Sequence, residues 1–479
     1  MGNFKTLVIV LSVIILVSSC KKDAFITDST ARLSFSTDTL YFDTVFTQMG
    51  SATRFIKVYN PHNKKIRISE IKLNGGTNSF FKLNIDGTPS VRAENIDILP
   101  KDSLWLFLQV LIDPRNSNTP LIVEDELSFS TNGQTQKINL IAWGQDGIYI
   151  KADTRIPGLP PFSVIPCTDG NTAIWKKEKP IVIFDYAVVD SGCNLIVEAG
   201  ARIHFYNKNS GLWVYKHASI KVNGTIEEPV TFEGSRLEYA YRENMAGQWD
   251  RIWINESAYP SEFNNAIIKN GYIGIQAEVL QEGFWENKLK LNNVFIRNMS
   301  GWGLLTRFYN IDAQNTQIFN CQNNMVALTF GGNYNFTHCT FANYWSDGNR
   351  KNPVLFMNNH TSSQTLPFNA NFINCIVYGN KENELESDFN EGADSIYYFE
   401  NCLIKSDEKK VNTLSSGNFV NCIRNQDPGF KNRSWFDLHL TAESPCINAG
   451  SGKGFSKVPL DADAMQRNNP PSLGAFEFK

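Results

Sequence analysis

FNNAIIKN, residues 263–270, contains a four-residue box, Asn265-Ala266-Ile267-Ile268, that recurs down the chain. It returns as Asn293-Val294-Phe295-Ile296, Asn315-Thr316-Gln317-Ile318, His338-Cys339-Thr340-Phe341, Asn374-Cys375-Ile376-Val377, Asn401-Cys402-Leu403-Ile404 and Asn421-Cys422-Ile423-Arg424. Successive boxes begin 28, 22, 23, 36, 27 and 20 residues apart. Two residues ahead of each lies Phe263, Leu291, Ala313, Phe336, Phe372, Phe399 or Phe419. Five residues after each first position come Asn270, Asn298, Asn320, Asn343, Gly379, Ser406 and Gln426. Strand alternation puts the second and fourth box residues on one face. The Phe file has the opposite parity, so it faces the same interior only if the chain turns near the Asn. A unit this short, with no helical period, cannot bury its own apolar face and must stack on its neighbours. The pattern predicts a parallel β-helix with files of Phe, Cys and Asn about 4.8 Å apart.

Alternation continues upstream at Leu195 and Val197, Ile203 and Phe205, Leu212 and Val214, Ile220 and Val222, and Val230 and Phe232. The stretch from Ile181 to Gly234, with Gly247-Gln248-Trp249 and Ile252 after it, resembles the opening coils of bacterial right-handed parallel β-helix surface proteins. The end of the chain resembles a choice-of-anchor Q segment, through Asp427-Pro428-Gly429-Phe430, Ser444-Pro445-Cys446-Ile447-Asn448-Ala449-Gly450 and Leu473-Gly474-Ala475-Phe476-Glu477. That family's Asp-rich middle survives only as Asp461-Ala462-Asp463 with Arg467. These resemblances imply an all-β chain with a right-handed parallel β-helix over 150–440 and a capping segment over 441–479.

Ahead of the coils, short alternating runs recur between turn signals: Ile56 and Val58 before Asn60-Pro61, Ile66 and Ile68, then Leu104, Leu106 and Leu108. Leu127 and Phe129 precede Thr131-Asn132-Gly133. Five to seven such strands predict a two-sheet sandwich over 33–147. With a strand ending at Asp113-Pro114 and a closing Ile138–Trp143 strand, this unit resembles Ig-like modules of the Hydin type. Such modules act as spacers or docking surfaces.

The first residues carry an address. Lys5 precedes Leu7 to Val17, a run apolar except for Ser12 and shorter than the roughly 20 residues that span a bilayer. It ends in Val17-Ser18-Ser19-Cys20, which resembles the lipobox of bacterial lipoproteins. The resemblance implies a signal peptide over 1–19, a lipid on Cys20, a linker over 20–32, and anchoring in the outer membrane, facing periplasm or surface. Lys21-Lys22-Asp23 follows, with Lys and not Asp at the second mature position, where Asp favours inner-membrane retention. Export permits disulfides.

Composition narrows the function classes. With 42% hydrophobic and 19% charged residues the chain is too apolar for disorder. A net charge of -3 provides no field for nucleic acid. Many parallel β-helices cleave polysaccharides, but adjacent Asp-Asp and Gly-His-Gly, which mark pectinase-type sites, are absent. Arg155-Ile156-Pro157 matches only part of a pectate-lyase arginine motif. Two functions stay open: recognition of a glycan or another extracellular partner without catalysis, or a polysaccharide lyase or glycoside hydrolase on the lateral face. No catalytic residue is assigned.

Eight of the ten Trp lie at or after Trp175. Trp285, Trp302 and Trp345, with Tyr309 and Tyr344, sit between boxes and are the expected glycan-binding rings, since an aromatic face can stack on a sugar. No cofactor is expected. Calcium has one candidate place, the acidic run Glu382, Glu384, Glu386, Asp388, Glu391 and Asp394. The six His show no metal-ligand spacing, and His338 replaces a ladder Asn. Cys339, Cys375, Cys402 and Cys422 share an inward position and read as reduced core residues. Cys167 and Cys193, both near the first coil, are the expected disulfide.

Overall fold

The computed structural model describes residues 24–112, 121–280, 287–407, 409 and 417–479. It divides into two compact units, one ending at Asp146 and the other beginning at Gly147.

The first unit has two five-stranded sheets. One orders Ser34–Phe35, Arg54–Tyr59, Ser103–Val110, Phe81–Ile85 and Thr88–Pro89. The other orders Thr39–Phe46, Gln134–Gln145, Leu121–Thr131, Ile66–Leu73 and Arg92–Ile98. The alternating residues of the sequence supply its core: Ile56, Val58, Leu106 and Leu108 on one sheet, and Ile68, Ile71, Leu127, Phe129, Ile138 and Leu140 on the other. The expected linker is shorter than 20–32. Phe25 already pairs with Lys65, and Ala31 and Leu33 are buried in the sandwich core, because burying apolar side chains outweighs leaving the segment extended. Cys20 and Asp113-Pro114 lie outside the described residues.

Among the described residues the second unit is built on a sheet of 26 parallel-paired strands curling nearly closed. Arg202–Phe205, Gly211–Val214 and Ser219–Asn223 form one turn, and each pairs with its counterpart in the turns before and after. The fold is therefore all-β, an Ig-like sandwich followed by a parallel β-helix.

The box residues settle the parity question. Asn265, Asn293, Asn315, His338, Asn374, Asn401 and Asn421 all have φ between 47° and 57°. This left-handed backbone is cheapest for Gly and Asn. The corner it makes turns residues on both sides inward. Phe263, Leu291, Ala313, Phe336, Phe372, Phe399 and Phe419 accordingly run in register. Phe372 stacks between Phe336 and Phe399 at 5.0 and 4.4 Å. On the other side of the corner Cys339, Cys375 and Cys402 are buried thiols, and Cys422 is half-buried. Cys167 and Cys193 are disulfide-bonded, with Cα atoms 6.0 Å apart.

Residues 441–479 do not simply cap an end. They run back along the corner Asn of successive coils. Asn401 donates to Ala449 O, Asn374 to Ser451 O, Asn315 to Leu460 O and Asn293 to Ala462 O. The returning part donates Gly474 N to Asn374 O, while Arg467 donates to Asn315 Oδ1. A left-handed corner points its amide outward with unmet donors, and the strap satisfies them at about 0.5 kcal/mol per bond.

Candidate functional site

One lateral face of the β-helix is covered at both ends and open between. Its outward residues form an in-register file, His204, Glu233, Lys269, Arg297 and Phe319. At the N-terminal side an insertion between Val230–Gly234 and Arg251–Ile254 folds over the file as a short helix, Tyr239–Asn244. Gln248 Nε2 donates to Tyr241 O and Met245 O, and Asn270 Nδ2 donates to Tyr241 O and Arg242 O. These bonds fix the helix on the coils and leave Tyr239 60% exposed.

At the other side stands a hairpin of Phe430–Asn432 and Asp437–Leu440. The Asn432 side chain accepts from Ser434 N and Trp435 N, which shapes the tip. Phe436, at φ 60°, packs edge-on against Phe319, and the Arg297 guanidinium lies 4.2 Å from its ring centre. This turn pushes the neighbouring Trp435 outward, 69% exposed. Between helix and hairpin lies a cleft of about 600 Å³ lined by Tyr239, Arg242, Glu243, Lys269, Arg297 and Trp435 among others.

The cleft floor is charged and desolvated. Lys269 Nζ lies 3.1 Å from Glu233 Oε2 and 3.2 Å from Glu243 Oε1. Arg297 Nη2 donates to Glu243 Oε2 at 2.6 Å. Burial works to raise the Glu243 carboxyl, but Arg297 and Lys269 outweigh it and hold it below the usual carboxylate range. Beneath the floor, burial pushes the His204 imidazole below its ordinary value, although Glu233 sits 3.8 Å away. His204 is therefore neutral at neutral pH.

The rings expected from the sequence do not make this site. Tyr309 is 2% exposed, and its hydroxyl donates to Asn255 O inside the coils. Trp345 is 6% exposed, with its indole N–H on Asp347 O. Tyr344 is half-buried among Phe319 and Tyr378, with Arg433 over its ring. Trp302 is half-buried edge-on to Tyr272. Trp285 lies outside the described residues. Tyr309 lies on the coil strand Leu304–Gln314 with its ring in the core, and the Trp345 ring is held by its own turn, so a place between boxes does not put a ring in water.

The acidic run is also dispersed. Glu384 is buried in an ion pair with Arg350, and Asp388 lies 3.2 Å from His360. Glu382, Glu386, Glu391 and Asp394 face solvent. Among the described residues no group of three or more His, Cys, Asp or Glu is placed to hold a metal ion. His338 bonds with Asn374 and Gly474 O, completing the corner file. Asp461 accepts the backbone N–H of Asp463, Met465 and Glu477 and so shapes the strap.

The sequence signal for the cleft was the residue after each box. It is Lys269 and Arg297 in the first two boxes, then Phe319, Ala342 and Tyr378. Nothing in the spacing tied Tyr239 to Trp435, which are 196 residues apart.

No family model and no curated protein matches the chain. Among solved structures, the ASH/PapD-like domain 7 of human CEP192 aligns at 6% identity and TM-score 0.19, over 25% of this chain and 89% of that one. A family 123 glycoside hydrolase from Clostridium perfringens, described for glycolipid glycan hydrolysis, aligns at 10% identity and TM-score 0.17, over 24% of this chain and 26% of that one. Overlaps this weak leave the architecture to rest on the chain's own strands: Ig-like sheets followed by a nearly closed parallel-strand sheet.

Proposed function

We propose that the protein is a lipid-anchored outer-membrane or surface protein whose β-helix recognises a glycan without cleaving it. The observation that carries this reading is the cleft between two exposed rings, Tyr239 and Trp435, over a polar floor. Sugar sites combine an apolar ring face with fixed polar groups in this way. The anchoring rests on the Val17-Ser18-Ser19-Cys20 site alone.

Cleavage is the weaker reading. A glycoside hydrolase sets a proton-donating acid against a second carboxylate across the scissile bond. The carboxylate lining this cleft, Glu243, is ionised and bound by Arg297 and Lys269. The charged floor still favours a lyase or hydrolase as the alternative, since cations beside a carboxylate can stabilise developing charge.

The test is a glycan array probed with the full chain, followed by calorimetry on the hits. Trp435→Ala should weaken binding about tenfold, given the ring area a sugar would cover. Its melting temperature should be unchanged, because the ring is 69% exposed. Unchanged glycan binding by Trp435→Ala would remove the cleft from the reading, and product release from a bound glycan would replace recognition with catalysis.

A further inference from the structure

We infer that the cleft selects an anionic saccharide, with the ligand's acid group on the Arg242 guanidinium while its sugar ring lies against Trp435. This rests on the glycan reading of the same cleft. The ion pairs of the floor join three cations, Arg242, Lys269 and Arg297, to two carboxylates, Glu233 and Glu243. His204 adds no charge, because burial keeps it neutral. One positive charge is left over.

The geometry says which cation carries it. Glu243 gives one oxygen to Lys269 and the other to Arg297. Glu233, 3% exposed and beneath the floor, gives its Oε2 to Lys269. Arg242 is served last. Its Nε is 3.5 Å from Glu233 Oε2 and 3.8 Å from Glu243 Oε1, both longer than charge-assisted hydrogen bonds of about 2.7–2.9 Å. Its side chain is 53% exposed on the cleft wall. A guanidinium held this way presents a fork of donors that matches a carboxylate or sulfate in two parallel bonds. Partial desolvation by the cleft walls strengthens that pairing over one in open water.

Uronate and sulfated sugars share this chemistry, and the experiment separates them. The full chain in detergent is titrated with three matched oligosaccharides: one bearing uronates, its carboxyl-reduced counterpart, and a neutral backbone bearing sulfates. The expected result is that at least one acidic ligand binds about tenfold tighter than the reduced one, as a charge-assisted bidentate contact predicts. The tighter of the two acidic ligands assigns the group. Arg242→Gln should abolish the preference and flatten the salt dependence. Equal binding of acidic and reduced ligands would overturn the inference and leave glycan recognition standing. Binding of none of the three, with no neutral hit on the array, would remove the glycan reading itself. Binding of polyglutamate as tightly as the uronate would make the site a general anion site and overturn the saccharide part. Circular dichroism of Arg242→Gln checks that an exposed substitution has left the coils intact.

Discussion

Two files of side chains run along the same β-helix under opposite rules. In the corner file Asn265, Asn293, Asn315, Asn374, Asn401 and Asn421 repeat one residue, with His338 the single exception. In the cleft file the residue changes at every coil, from His204 through Glu233, Lys269 and Arg297 to Phe319. Register puts neighbours in either file about 4.8 Å apart. Amides tolerate that spacing, because each has both a donor and an acceptor: Asn293 donates to Asn265 Oδ1 at 2.6 Å. Like charges do not. Lys269 and Arg297 stand on adjacent coils with counter-charges beside them, Glu233 at Lys269 and Glu243, brought in by the inserted helix, at both. A uniform file therefore marks a job repeated in every coil, and a mixed file marks a place where the coils meet something particular.

The comparison breaks most sharply at Lys269. Lys269→Met leaves buried Glu233 without its closest cation and removes one of the two that bind Glu243. Orphaning a buried charge costs about 3 kcal/mol or more. Combining it with Glu233→Leu should recover most of the loss, since no buried charge is then left unpaired. Urea unfolding of the two variants measures both terms. A loss below about 1 kcal/mol for the single variant would mean that the file is solvated, not a closed ionic lattice.

The corner file should answer differently. Asn374 has φ 57°, bonds His338 and exchanges two hydrogen bonds with Ser451. Asn374→Ala loses those three bonds, at roughly 0.5 kcal/mol each, and strains the backbone by about 1 kcal/mol more. Asn374→Gly loses the bonds alone and should cost about 1 kcal/mol less. Equal losses for the two would show that the corner is held by the strap and not by the residue's backbone preference.

How far each file was legible follows from the same distinction. Phe372, Asn374 and Cys375 occupy positions that recur in the other boxes, so spacing alone implies their stacking. The one ambiguity, which way the Phe file pointed, hung on a backbone angle that Asn hints at without fixing. The site was not legible. Trp285, Trp302, Tyr309, Tyr344 and Trp345 lie between boxes, where the spacing predicts exposed rings, yet Tyr309 and Trp345 are buried. Tyr309 stands on a coil strand of its own, Leu304–Gln314, whose facing the box period does not record. Tyr239 and Trp435 come from an insertion and from a hairpin beyond the last box, and only folding brings them to one cleft. The strap escaped for the same reason, since residues 449–474 follow the corner Asn through backbone carbonyls that carry no side-chain signature.

The smallest effect expected is also the one that isolates the bridge. Glu243 is held below the ordinary carboxylate pKa of 4.5 by Arg297 and Lys269, against the burial that would raise it. A depressed folded-state pKa contributes stability that is fully present above the unfolded value and lost as pH falls through the folded one. Glu243→Gln should therefore cost less than about 1 kcal/mol at neutral pH, the side chain being partly exposed, and nothing once the acid is protonated in both states. The difference between wild type and variant should close only below about pH 4.5. His204 also destabilises the fold on acidification, because its depressed pKa leaves the unfolded chain binding the proton first. That loss begins nearer pH 6.5 and is common to both proteins, so it cancels in the difference. A difference that closed near pH 6.5 instead would place the titrating partner of the bridge at His204, and the mixed file would then be a single coupled unit and not a set of pairs.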